Sequence, residues 1–202
     1  MASSPHRYRS MGLTAQGYGF LGFAIFGWGI SWPFLKIALA EIPPWTFRGL
    51  IAPSAALMIL ALGFVLRYEV ESPKGQWREI ILASFLNITL WHVFSAHGIR
   101  LLGGGQASII AYTMPLWAVV FSILFIGERA TIARIMGLVF GMGGLSVLLS
   151  GELGVLRSAP AGTFFMLISA IAWGAGTVVQ KKVKWQISAL SCVAWQLLLG
   201  GL

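Results

Sequence analysis

Aromatic and polar side chains recur at intervals of four residues in this sequence, a spacing that brings them onto one face of an α-helix. The first such stripe holds Trp28, Trp32 and Lys36, with Ser31 alongside. Indole rings stack on apolar solutes and attract cations, while hydroxyl and ammonium groups supply hydrogen bonds. These residue types therefore predict a site that binds a small molecule without breaking its bonds.

A later stretch repeats the pattern with Asn87, Trp91 and Ser95. Asn87 must find a hydrogen-bond partner in the membrane, so this face should point towards other helices. A tyrosine hydroxyl can likewise bond a solute or a neighbouring helix. These side chains could instead serve helix packing. Lys36 could instead extend its ammonium group to the membrane surface. The predicted substrate-binding residues are Trp28, Ser31, Trp32, Lys36, Asn87, Trp91, Ser95, Tyr112, Trp173 and Thr177.

The sequence contains few residues in the arrangements that an enzyme active site or a metal site requires. The acidic residues are all glutamates, and none forms a carboxylate pair suited to acid–base catalysis. His92 and His97 are five positions apart, which places them on different helix faces and not at the spacing of a metal-binding pair. We therefore predict that the protein is not an enzyme and binds no cofactor or metal.

The composition predicts that these stripes lie in a membrane. Of the 202 residues, 57% are hydrophobic and only 10% are charged, and the mean hydropathy is +0.83. A soluble domain carries about 25% charged residues. The net charge of +8 could suggest nucleic acid, but the basic residues lie between apolar runs and not in one patch. The predicted partners are the lipid bilayer and a small-molecule substrate, with no nucleic acid; a homodimer is left open.

The apolar runs are continuous and do not alternate, which favours helices over barrel strands. A membrane-spanning helix needs about 20 apolar residues. The sequence therefore predicts an all-α integral membrane protein, a multi-helix bundle. Its spans lie at about 15–38, 45–66, 79–99, 106–126, 131–150, 161–180 and 186–202.

Prolines and glycines inside these runs predict local features of the helices. Pro33 and Pro115 lack an amide N–H and clash with the preceding turn, so each predicts a kink. Gly137 and Gly141 form a GxxxG pattern, which predicts close packing against another helix.

Basic residues predict the orientation of the spans. Ten of the 14 Lys and Arg residues fall in segments on the side of the N-terminus. Positive charge stays on the cytoplasmic side, so residues 1–14 are predicted to be a cytoplasmic tail. The protein would then be a multi-pass protein of the inner (cytoplasmic) membrane.

A repeat supports this topology. Trp28-Gly29 followed by Lys36 recurs as Trp173-Gly174 followed by Lys181, at a constant offset of 145 positions. The copies lie on the first and sixth spans, and a repeat unit of five spans is odd, so they enter the membrane from opposite sides, as in the inverted repeats of secondary transporters. We predict a first five-helix repeat over residues 15–150 and the beginning of a second over 161–202.

Two stretches carry a resemblance to a known family. They are Trp28-Gly29-Ile30-Ser31-Trp32-Pro33-Phe34-Leu35-Lys36 with Ile42-Pro43-Pro44-Trp45, and Pro115-Leu116-Trp117 with Gly127-Glu128-Arg129. The sequence resembles the EamA-type family of the drug/metabolite transporter superfamily. The resemblance implies ten helices in an inverted five-plus-five arrangement and secondary transport of metabolites, amino acids or drugs. Helices eight to ten are absent from the sequence, so we expect further helices to follow Leu202.

The predicted function is a secondary transporter, a permease or exporter of small organic solutes that works by alternating access. Its site would lie near the middle of the membrane, and the aromatic residues favour a partly apolar or cationic substrate. The alternative is a non-transporting membrane subunit or a channel-like protein. The substrate, the coupling ion and the direction of transport stay open.

Overall fold

The computed structural model describes residues 14–67, 70–151 and 153–201, and these fold into helices joined by short connections. The predicted cytoplasmic tail, residues 1–14, lies outside the described residues except for Thr14. Helix α1 spans Ala15–Glu41, and the Thr14 hydroxyl caps it by accepting a 3.2 Å hydrogen bond from the Gly17 amide. Helix α2 spans Pro44–Val65 and begins with a proline, whose missing N–H is not needed in the first turn.

Helix α3 covers Trp77–Leu101, and its middle turn, Phe85–Leu90, is a π-helix. The wider turn changes the angle between successive side chains, so residues on either side of it no longer follow ordinary helical spacing. Helix α4 covers Gly104–Ile126 and is broken at a turn between Ala111 and Met114. Pro115 opens the second half of α4, as the predicted kink requires, whereas α1 stays helical through Pro33.

The remaining helices are α5 at Ile132–Ser150, a short unnumbered helix at Leu153–Ser158, α6 at Pro160–Lys182 and α7 at Ala189–Gly200. Six helices of the described ranges, α1 to α6, are long and apolar enough to cross a bilayer. Within the described residues, the last predicted run forms the 12-residue α7. Residues 183–187 leave the helical path, and Ser188 then caps α7 by accepting from the Ser191 amide.

Helix α6 is the central element of the bundle. It packs mainly against the second halves of α3 and α4, and glycines permit the close approach. A Cβ added at Gly162 would lie 2.9 Å from side-chain atoms of Leu101 and Leu102. Helix α6 therefore begins where α3 ends, so these two helices run in opposite directions.

Helix α1 runs the other way relative to α6. Lys36, near the end of α1, reaches carbonyl groups at the end of α3, so α1 and α3 run in the same direction. Because α3 and α6 are antiparallel, α1 and α6 are antiparallel as well. The two copies of the repeated sequence thus cross the bundle in opposite directions, as an inverted repeat requires.

The α2–α3 and α6–α7 connections contact each other. The distribution of basic residues predicts that both lie on the same side of the membrane. The side chain of Gln76, before α3, donates a 3.0 Å hydrogen bond to the Lys184 carbonyl and accepts a 2.8 Å bond from the Gln186 amide. The carboxylate of Glu71 accepts a hydrogen bond from the Ser188 amide at the start of α7. These contacts bring the α2–α3 and α6–α7 connections to the same end of the bundle.

Large apolar side chains cover the outside of the bundle, as expected of a surface that faces lipid. Helix α5 is the extreme case, because none of its residues is buried. Within the described ranges, nothing lies within 4 Å of a Cβ built at Gly137 or Gly141. The close packing predicted from the GxxxG pattern is therefore not made by these residues.

Candidate substrate site

Three tryptophans from three helices meet in the middle of the bundle. The ring centroids of Trp28 and Trp91 are 6.4 Å apart, those of Trp28 and Trp173 are 6.0 Å apart, and those of Trp91 and Trp173 are 5.0 Å apart. We call this group the tryptophan triangle. Trp28 and Trp173 are the repeated residues of α1 and α6, and Trp91 follows the π-helical turn of α3 directly. The structure brings these three residues, each named from the sequence, into contact with one another.

A cavity of about 160 Å³ lies beside the triangle, between α1, α2 and α3. Five residues expected from the sequence line it, and four further residues were not expected. The cavity is lined by Trp28, Ser31, Trp32, Leu35, Arg48, Trp91, His92, Ser95 and Ile99. Its wall is largely aromatic and aliphatic with a few polar groups, the usual character of a small-molecule site.

Arg48 is the residue that sequence reasoning missed. Its guanidinium donates to the His92 ring at Nδ1 over 3.3 Å and to the Ser95 hydroxyl over 3.1 Å. Its Nε atom is buried and has no hydrogen-bond partner among the described residues. Arginine can only donate, so His92 accepts at Nδ1 and is held as a neutral ring in this arrangement. Its position in the second turn of a spanning helix could have indicated a functional role. This arginine entered the sequence-based prediction only in the count of charges that orients the helices.

A second cavity of about 200 Å³ lies on the other side of Arg48 and His92, towards α7. Its walls include Trp45 and Thr89. Arg48 and His92 line both cavities, so this pair separates them.

Trp32 and Tyr112 form an edge-on pair with ring centroids 6.3 Å apart. Trp32 is buried and lines the cavity, and its Nε1 atom has no hydrogen-bond partner within the described part of the chain. Tyr112 lies at the turn that breaks α4 and does not line the cavity. Tyr112 therefore contacts the candidate site through Trp32 and not directly.

Three of the predicted hydroxyl groups bond to their own helix, among them Ser95, which donates to the His92 carbonyl at 3.4 Å. The Ser31 hydroxyl donates to the Trp28 carbonyl at 2.7 Å, and the Thr177 hydroxyl donates to the Trp173 carbonyl at 2.9 Å. Such local bonds satisfy a hydroxyl inside a helix. Ser31 still lines the cavity, whereas Thr177 is exposed and does not.

Asn87 lies in the π-helical turn and faces α6 instead of the cavity. Its side chain packs onto Gly176 so closely that a Cβ built there would overlap the Asn87 amide oxygen, at 1.9 Å. The structure thus brings Asn87 to the interface between α3 and α6, which is the helix-packing alternative considered for it.

Lys36 binds the carboxyl end of α3. Its ammonium donates to the carbonyl groups of Ile99, Arg100 and Leu102 over 3.1, 3.0 and 2.6 Å. Carbonyls at a helix end lack partners within the helix and carry partial negative charge, so a lysine there is stabilising. Three bonds use all the donors of the ammonium group, and Lys36 does not line the cavity.

Lys181, the repeat counterpart of Lys36, pairs with Glu128 instead. The Lys181 ammonium lies 2.5 Å from one carboxylate oxygen of Glu128, and the Arg134 guanidinium lies 2.9 Å from the other. The hydrogen bond from Lys181 is the main cause that lowers the pKa of Glu128 below its usual value. This group ties the α4–α5 connection to the end of α6.

Membrane-length helices around an aromatic cavity, with α1 and α6 running in opposite directions, are typical of transport proteins built from inverted repeats. The model of the EamA-like transporter family matches residues 15–150. The chain therefore belongs to this family, which confirms the resemblance seen in the sequence.

Known relatives carry names of the same kind. The chain is 32% identical over 180 residues to an uncharacterized transporter of Bacillus subtilis, YvbV, covering 89% of this chain and 58% of YvbV. It is 29% identical to a second B. subtilis transporter, YoaV, over 86% of this chain and 60% of YoaV. An uncharacterized inner membrane transporter of Escherichia coli, YedA, is 26% identical over 77% of this chain and 50% of YedA. The chain thus spans about three fifths of YvbV and YoaV. No solved structure matches it.

Proposed function

We propose that this chain is part of a secondary transporter that moves small organic solutes across the cytoplasmic membrane by alternating access. The observation that carries the proposal is the cavity beside the tryptophan triangle. The three rings of the triangle come from α1, α3 and α6. Solute would bind there by stacking and by hydrogen bonds, without chemical change. The relatives YvbV and YoaV are named as transporters, which supports a non-enzymatic role.

The tryptophan triangle beside the cavity supports alternating access. The triangle joins the predicted first repeat, through Trp28 and Trp91, to the predicted second repeat, through Trp173. A site at the contact between inverted repeats opens to alternate sides when one repeat rocks against the other. The cavity is lined by residues of the predicted first repeat, and Trp173 of the predicted second repeat packs against two of its rings. A solute there would lie beside the contact between the two moving parts.

Contacts at the helix ends fit the same mechanism. Lys36 ties α1 to α3, both within the predicted first repeat, whereas the pair of Lys181 and Glu128 joins the two predicted repeats. A tie within a repeat would persist through the transport cycle. A tie between repeats would break when that end of the bundle opens, and a pair near the surface is weak enough to break.

The orientation proposed from charge counting places the N-terminus in the cytoplasm. The contact between the α2–α3 and α6–α7 connections supports the grouping of these segments on one side. The name of YedA as an inner membrane transporter supports the same location. We propose this topology for a multi-pass protein.

Counterflow in vesicles distinguishes a carrier from a channel-like protein. Vesicles that contain the protein are loaded with unlabelled phenylalanine, an aromatic solute too polar to cross the bilayer quickly, and receive labelled phenylalanine outside. A carrier gives saturable uptake with transient accumulation, and a channel-like subunit gives neither. Trp91→Ala should reduce the initial rate at least about tenfold, the loss expected when a stacked ring is removed.

The matched control is Trp77→Ala, which removes an exposed ring at the start of the same helix, away from the cavity. It should leave uptake within about twofold of the unchanged protein. Equal uptake by the Trp91→Ala protein and the unchanged protein would contradict the site, and absence of counterflow in the unchanged protein would contradict the function.

A further inference from the structure

We propose that Arg48, with Ser95 and His92, forms an anion subsite in the candidate cavity, and that the transported solutes carry a carboxylate beside an apolar or aromatic part. This inference rests on the proposed function, because it names the class of solute for the same cavity. It also revises one expectation from the sequence, in which the aromatic residues favoured a partly apolar or cationic solute.

The charge of Arg48 has no counter-ion among the described residues. Its hydrogen-bond partners are a neutral imidazole and a hydroxyl, and its Nε atom is without a partner. The ion pairs of the described residues involve Glu128 at another end of the bundle. A cation within a membrane-spanning helix is costly and pairs with an anion where one is within reach.

The neighbouring groups hold the guanidinium in place and leave it donors to use. His92 and Ser95 accept from its two terminal nitrogens, and the Ser95 hydroxyl in turn donates to the His92 carbonyl at 3.4 Å. A guanidinium has five N–H donors in a planar fork that matches a carboxylate, so two bonds leave capacity for a ligand. The unpartnered Nε is itself enclosed by protein, so the guanidinium carries more donors than its surroundings use.

The cavity places apolar surface next to this charge. Trp28 and Trp91 line the same 160 Å³ space as Arg48. A solute with an aromatic ring and a carboxylate could lay its ring on the indoles while the carboxylate meets the guanidinium. A cationic solute would meet a like charge at short range in a medium of low dielectric constant, which is strongly unfavourable.

A matched series of ligands tests the subsite by calorimetry on the purified protein in detergent micelles. Phenylacetate, phenylacetamide and 2-phenylethylamine share a ring and similar size but are anionic, neutral and cationic. We expect phenylacetate to bind at least about tenfold more tightly than phenylacetamide, since a charge-assisted bond contributes about 1.5–3 kcal/mol. We expect 2-phenylethylamine to bind more weakly than the amide.

Arg48→Gln should remove the preference for phenylacetate and leave the affinity for phenylacetamide within about twofold. Arg100→Gln, which removes the positive charge of an exposed arginine at the end of α3, should keep the preference. The comparison of acid and amide on the unchanged protein needs no variant, so it remains decisive if Arg48→Gln fails to fold.

Equal binding of phenylacetate and phenylacetamide would overturn the anion subsite while the aromatic site of the proposed function stands. A carboxylate supplied to Arg48 by another part of the protein would likewise overturn the anion subsite. A preference that persists in Arg48→Gln would also overturn it. Failure of all three ligands to bind, in a protein that shows counterflow, would place the solute elsewhere and overturn the inference without touching the transport function.

Discussion

The repeated tryptophans and the repeated lysines belong to the same short sequence, yet they have different surroundings. Trp28 and Trp173 meet each other and Trp91 beside an open cavity. Lys36 and Lys181 lie near opposite ends of the bundle, where Lys36 donates to three carbonyl groups and Lys181 pairs with a carboxylate. Polar groups whose bonding capacity is used hold the helices together, whereas groups with unused capacity next to a void are available to a ligand.

The same comparison separates Arg48 from Lys36. Both are cations in membrane-spanning helices, but Lys36 donates to three carbonyls, while Arg48 lines the cavity and keeps a buried Nε without a partner among the described residues. Their roles should therefore separate in experiment: loss of Lys36 should cost stability, and loss of Arg48 should cost binding.

Lys36→Met gives the largest expected loss of stability. It removes three charge-assisted bonds at the end of α3 and should lower the free energy of unfolding by about 2–3 kcal/mol. The midpoint of thermal unfolding in detergent measures this loss. Lys182→Met, which changes an exposed lysine at the end of α6 without an ion pair among the described residues, is the control and should change the midpoint little. The affinity of Lys36→Met for phenylacetate should be unchanged, and a selective loss of affinity would place Lys36 in the site.

Gly176→Ala should cause the next largest effect. The added methyl group would overlap the Asn87 amide oxygen, and overpacking of this kind costs about 1–3 kcal/mol. Unfolding midpoints of Gly176→Ala, Asn87→Ala and the double variant measure the coupling between the two positions. The double variant should be more stable than Gly176→Ala alone. Additive losses would show that Asn87 does not occupy this interface, and would return it to the list of substrate-binding candidates.

Glu128→Gln should have the smallest effect, because its ion pairs are partly exposed to solvent. The pKa of Glu128 is lowered in the folded protein, so its contribution is present above the ordinary pKa of glutamate and lost as pH falls through the lowered value. Unfolding midpoints of the variant and the unchanged protein should differ slightly at pH 7 and converge in acid. A difference that grows as the pH falls would contradict the assigned ion pairs.

The sequence was sufficient for the parts of the fold that depend on composition and simple spacing. Apolar runs located the spanning helices, and the repeat brought Trp28 and Trp173 together with opposite helix directions. The stripe of Asn87, Trp91 and Ser95 held only in part, because the π-helical turn changes the register and directs Asn87 towards α6. The sequence alone gives no sign of that turn.

The role of Arg48 could not be predicted from the sequence, because it depends on contacts between helices. Its direction is set by the docking of α2 against α3, which brings it to His92 and Ser95 from 44 and 47 positions away. Spacing within one helix carries no such information. Lys36 likewise had two predicted roles, and its partners 63 to 66 positions distant give it a third.

Protection of single cysteines by solute tests the central claim most directly. In a Cys192→Ser background, which removes the native cysteine, Ser31→Cys and Thr177→Cys are labelled with a small thiol reagent in vesicles. Ser31 lines the cavity, whereas Thr177, one turn beyond Trp173, does not. Saturating phenylalanine should slow the labelling of Ser31→Cys severalfold and leave Thr177→Cys unaffected. Protection of Thr177→Cys alone, or equal labelling of Ser31→Cys with and without solute, would contradict the assignment of this cavity as the substrate site.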